Sequence, residues 1–124
     1  MGLLDAFRRF ARRMAESDEQ RLAEEVRGWA ASVPGATPVR EAKPRERAKL
    51  AGVVRRITVN PGEGFESLAA VLSDGTGDVE VVWMGRRSIP GLTLGTRVVV
   101  EGVLAADGRA NKRKMVNPRF EFSV

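Results

Sequence analysis

The stretch Leu72-Ser73-Asp74-Gly75-Thr76-Gly77-Asp78-Val79-Glu80-Val81-Val82-Trp83 carries two apolar runs on either side of a four-residue break. Asp74 to Gly77 has turn composition, with two glycines to take positive φ and an Asp and a Thr to bond the local backbone. After it, Val79, Val81 and Trp83 fall on one side and Glu80, Val82 and Met84 on the other. That is the two-residue period of a strand. The stretch predicts one strand over Glu66 to Ser73, turned back into another over Asp78 to Met84.

Working outward, the same period continues. Asn60-Pro61-Gly62-Glu63-Gly64 predicts a turn, and before it Leu50 to Val59 predicts a strand. Ala51, Val53, Ile57 and Val59 lie on one side of that strand and Arg56 and Thr58 on the other. Downstream, Arg86 to Thr96 carries Ile89-Pro90-Gly91 and Gly95 and is too short for a long helix. Arg97 to Ala105 predicts a fourth strand, Asp107-Gly108 a tight hairpin turn and Arg109 to Phe122 a fifth strand. In the fifth, Val116, Phe120 and Phe122 are expected inside and Arg113, Met115, Asn117 and Arg119 outside. Five short strands separated by Gly-rich turns predict a small all-β barrel over residues 49–124. Gly52 and Gly102 sit inside strands, where barrel closure needs bends.

Upstream the period is helical. Leu3, Phe7, Phe10 and Met14 are followed by Leu22, Val26, Trp29 and Val33, with steps of four and three inside each set. One straight helix is expected to keep both sets on one face. Ser17-Asp18-Glu19-Gln20 also fits the cap of a second helix, so the spacing accommodates one helix or two. Residues 1–33 thus form an N-terminal amphipathic α-helical extension. Pro34-Gly35 ends it, and Pro38 and Pro44 keep residues 34–48 from re-forming helix. With Arg40, Lys43, Arg45 and Arg47 against Glu41 and Glu46, this stretch reads as an extended, solvated basic linker.

Composition narrows the chemistry. In 124 residues there are 21 Lys and Arg against 16 Asp and Glu, no Cys and no His. Disulfides, thiolate metal sites, cysteine nucleophiles and the usual neutral-pH general base are excluded. No apolar run has the length of a secretory signal or of a membrane span. A cytoplasmic protein without an integral membrane segment is expected. No G-x-x-x-x-G-K-[ST] phosphate loop is present. Glu63, Glu66, Asp74 and Asp78 fall at turns, where acids need no catalytic role. The expectation is a protein that is not an enzyme and takes no cofactor and no metal.

Leu72 to Trp83, followed by Val98-Val99-Val100-Glu101-Gly102-Val103, resembles the OB-fold nucleic-acid-binding domain. The resemblance is to the group found in anticodon-binding domains of tRNA synthetases and in the wedge domain of a bacterial branch-migration helicase. Met115-Val116-Asn117-Pro118-Arg119-Phe120 resembles the fifth strand of the helicase-like subgroup. With its helix and linker, the chain is similar to small stand-alone OB-fold proteins of actinobacteria. The likeness covers roughly Lys49 to Phe122, and no catalytic engine accompanies it. It implies a five-stranded OB barrel that binds nucleic acid without ATP chemistry or aminoacylation.

A single strand needs cations along its phosphates and flat side chains against its bases. Candidate contacts are Arg55 and Arg56 on the first strand, Arg86 and Arg87 after the third, and Lys112, Arg113, Lys114 and Arg119 on the fifth. Residues 109 to 119 hold five positive charges, including Arg109, and no acid. Phe65 in the first turn is the best placed stacking group, since Trp83 is expected in the core. The predicted partner is single-stranded DNA or RNA, held mainly through phosphates. The rival reading is an interaction adaptor. In it, the barrel or the N-terminal helix docks another protein. The rival expectations for Leu3, Phe7, Phe10 and Met14, flanked by Arg8, Arg9, Arg12 and Arg13, are to cover the barrel, to self-associate, to dock a partner or to lie on an anionic membrane.

Overall fold

The computed structural model describes residues 2–62, 64–106 and 112–123. Glu63, the Asp107-Gly108 turn and Arg109 lie outside the described residues. The elements run α1 (Leu3–Ser32), a 3₁₀ turn (Val39–Glu41), β1 (Arg47–Pro61), β2 (Glu66–Ser73), β3 (Asp78–Met84), β4 (Arg97–Val103), β5 (Arg113–Val116) and β6 (Arg119–Phe122).

The strands form one sheet in the order β5-β3-β2-β1-β4-β6. All neighbours are antiparallel except β3 and β5. Strand β1, 15 residues long, serves two ladders: Arg47 to Val53 pair with β4, and Val53 to Pro61 pair with β2. The hand-over is marked by a bulge between Val54 and Arg56, which leaves Arg55 out of register. A bulge adds a residue and increases twist, so one strand can bend between two partners. Gly52 sits at the same place, and a Cβ there would lie 3.1 Å from the Ser73 carbonyl oxygen.

The bulge also alters the expected alternation of β1. Leu50 and Val54 reach the main core, whereas Ala51 faces away from it and Val59 is exposed.

Two further expectations are corrected at the C-terminus. The fifth strand is two strands, and the hydrogen-bonded order has six members rather than a closed ring of five. β5 and β6 stand at opposite edges of the order, with no ladder between them among the described residues. The cause is Asn117-Pro118. Asn117 takes a left-handed φ of 49°, and Pro118 has no N–H to give to a ladder. Val116 and Arg119 are three residues apart, so the two edges lie within about 10 Å and the sheet is rolled round its core. A single bridge between Leu104 and Met115 adds to the approach of the edges.

The Asn117 kink also shifts the side-chain phase by one residue. Met115 is fully buried and Val116 is exposed, the reverse of expectation. Beyond the kink, Phe120 and Phe122 do pack against the core. Trp83 is buried, with Phe120 edge-on at 5.4 Å and Phe122 a further 5.8 Å along.

Helix α1 is a single helix of 30 residues. Its C-terminal part meets the sheet: Trp29, Ala30 and the following Val33 cover Ala51 and Val99, and the Arg27 guanidinium donates to the Gly75 carbonyl in the β2–β3 turn at 3.1 Å. The Arg97 guanidinium lies 5.1 Å over the Trp29 ring. The two apolar sets do not share a face. The eight residues from Met14 to Leu22 overshoot two turns by about 80°, so the first set points elsewhere.

The stretch 34–48 is not a solvated linker. Val39 is fully buried and Ala42 is buried beside it. The Val39 N–H donates to Asp74 Oδ2 at 2.9 Å, and the Arg45 N–H donates to the Leu104 carbonyl at 2.9 Å. Three prolines make the stretch irregular, and its backbone donors divide between local carbonyls, as Glu41 to Pro38 and Ala42 to Val39, and partners outside it, as Thr37 to Lys49.

Candidate nucleic-acid interface

Strand register sets the outer face of β1-β2-β3-β5. Arg56 pairs with Val71, Val71 with Glu80 and Glu80 with Lys114, forming one row across four strands. Cβ atoms of paired residues point to the same side of a sheet, and Arg56, Glu80 and Lys114 are all exposed. The next row towards the chain ends holds Ser73 opposite Asp78. Arg55, pushed out of register by the bulge, and Lys112, just before β5, complete the site.

These residues line an open groove of about 740 Å³. Arg55, Arg56, Lys112, Arg113 and Lys114 supply its cations, and Asp78 and Glu80 its acids. None of these groups forms an ion pair among the described residues, whose salt bridges are Arg47–Glu101 and Arg87–Glu66. Arg113 is nonetheless committed. Its guanidinium donates to the Arg40 carbonyl at 2.6 Å and to the Ala42 carbonyl at 3.4 Å. Four cations remain with their charge directed to solvent.

Of the nine residues singled out from the sequence, the structure gathers those five in the groove and places four elsewhere. Phe65 is exposed in the β1–β2 turn, at the opposite end of β2 from Ser73. Arg87 pairs with Glu66 at that same end, at 2.8 Å, and Arg86 precedes it in the β3–β4 connection. About six residues of strand separate this end from the groove, roughly 20 Å. Arg119 lies on β6 opposite Glu101, in a shallow depression shared with Lys49 and Glu121, at the other edge of the sheet from the groove.

The sequence reading missed Asp78 and Glu80 as members of the site. Their signal was the outward phase of β3, and the missing information was which cations β1 and β5 would bring opposite them. Asp74 is occupied: it accepts from Val39 N–H, Thr76 N–H, Thr76 Oγ1 and Gly77 N–H.

No protein-family model matches the chain, and no curated protein sequence matches it. Among solved structures, it is similar to RecG bound to a three-way DNA junction, with a TM-score of 0.55 and 20% identity over 64% of this chain. The chain spans 11% of the length of that RecG chain. At this identity the likeness bears on the fold: a mostly β, OB-like sheet with one helix added. No helix among the described residues is long and apolar enough to cross a membrane.

Proposed function

We propose that the protein is a non-catalytic, cytoplasmic OB-type module that binds single-stranded DNA or RNA through its phosphates, on the outer face of β1-β2-β3-β5. The observation that carries this reading is the convergence of Arg55, Arg56, Lys112 and Lys114 in one open groove, unpaired by acids among the described residues. The likeness to a structure bound to a DNA junction supports it, as does the resemblance of Leu72 to Trp83 to OB-fold strands. The second and third strands are also the face on which OB folds hold oligonucleotides. With Trp83 in the core and Phe65 distant from the groove, stacking adds little. Recognition is therefore of backbone charge and is weakly sequence-selective.

The experiment is fluorescence anisotropy of a labelled single-stranded oligonucleotide, DNA and RNA in parallel, across a salt titration. Four phosphate contacts predict that log K falls with log salt at a slope of about −3, from about −0.7 per contact. Substituting Arg55, Arg56, Lys112 and Lys114 with Gln should abolish binding. Unchanged affinity in that variant would reject the groove as the site.

A further inference from the structure

We propose that the N-terminal part of α1, Leu3 to Met14, docks on the surface of an anionic lipid bilayer. Leu3, Phe7, Phe10 and Met14 are 92%, 67%, 61% and 52% exposed, and Leu4 is exposed beside them. At 3.6 residues per turn these five side chains fall within roughly 120° of arc, and Asp5, Arg8, Arg9, Arg12 and Arg13 all lie outside it. A face of Leu, Phe and Met opposed by a face of arginines is the pattern of a helix lying in the membrane interface. The arginine stems are long enough to run beside the apolar face and set their guanidinium groups among lipid phosphates.

Charge and orientation select this occupant. Residues 3–14 carry four arginines against one aspartate, whereas residues 16–25 carry five acids against one arginine. An anionic surface therefore attracts the first segment and repels the second, so the docked length ends near Met14, about 18 Å of helix. A second copy seated face to face on the same segment would bring eight like charges together. Ala30, the buried residue of α1, lies roughly 140° round the helix from the centre of this apolar arc, whereas Trp29 falls within it. A stretch this short is marginal as an isolated helix and gains from burying its apolar face.

The inference is independent of nucleic-acid binding and is tested with the full chain. Vesicles of phosphatidylcholine alone and of phosphatidylcholine with phosphatidylglycerol are compared by co-sedimentation. The protein is expected to pellet with the anionic vesicles, less so as salt rises, and not with the zwitterionic ones. The double variant F7E/F10E should lose this binding while keeping its urea midpoint and its affinity for single-stranded DNA. The groove variant R56Q/K114Q should keep it. Failure of the wild-type chain to pellet with anionic vesicles overturns the proposal. So does loss of vesicle binding in the groove variant, which would assign it to the sheet. A dimer in sedimentation equilibrium that F7E/F10E dissociates would make a second copy the occupant and overturn it equally.

Discussion

The Arg113 guanidinium donates to the carbonyl oxygen of Arg40 at 2.6 Å, joining residues 73 positions apart in the chain. One of the groove's five cations thereby holds the segment between α1 and β1 against strand β5. Arg113→Gln should lower stability by about 1–2 kcal/mol through loss of a charge-assisted hydrogen bond. Urea denaturation reads the change. Single-strand affinity should fall less for this variant than for Arg56→Gln, and the reverse order would place Arg113 among the phosphate contacts.

Asp74 makes a second tie to the same segment. It is 3% exposed, and its two oxygens accept four hydrogen bonds, from Val39, Thr76 (backbone and hydroxyl) and Gly77. Asp74→Ala would strand the buried Val39 N–H and loosen the β2–β3 turn, at a cost of about 3 kcal/mol. A urea midpoint within error of wild type would contradict this account of the turn.

Glu80 sits between Val71 and Lys114 in the row that crosses the groove. Its carboxylate opposes phosphate approach and has no ion-pair partner among the described residues. Glu80→Gln should tighten single-strand binding and change stability by no more than about 0.5 kcal/mol. Lys114→Gln should flatten the salt dependence by about 0.7 in slope. Paired anisotropy and denaturation measurements check both.

Trp83 is buried with its Nε1–H unpaired among the described residues. Its ring packs edge-on against Phe120. Trp83→Phe removes an orphan donor as well as part of the apolar surface, so the two effects oppose each other. The net change in unfolding free energy should stay within about 1 kcal/mol, whereas Trp83→Ala should cost about 3–5 kcal/mol. Calorimetric melting of the two variants distinguishes these outcomes.

The strand pair at the centre of the sheet was legible in the sequence. The bounds of β2 and β3, and the inward placement of Val79, Val81 and Trp83, follow from alternation and from a turn whose residues bond one another. Residues 34–48 were not legible as packed structure. Their prolines and charges describe a chain that makes no regular element, and such a chain can equally float or be pinned. Burial of Val39 depends on an Asp 35 residues away.

The cations show the same division. Their number and their crowding into residues 109–119 are facts of composition. Their sorting into a groove of five and four outliers rests on the Arg55 bulge, on the parallel register of β3 with β5 and on the Asn117 kink that sends Arg119 to the other edge.

Helix α1 divides likewise. Its helicity and the apolar spacing at each end are local properties, set by 3.6 residues per turn. Which end meets the sheet, and that Leu3, Phe7, Phe10 and Met14 stay exposed, follows from where Ala51 and Val99 offer an outer apolar face. Backbone periodicity and turn chemistry act over a few residues, so the elements are written in the local sequence. Register, bulges and the docking of one face on another join distant residues, so the tertiary structure alone decided which charges stand together and which apolar face was left exposed.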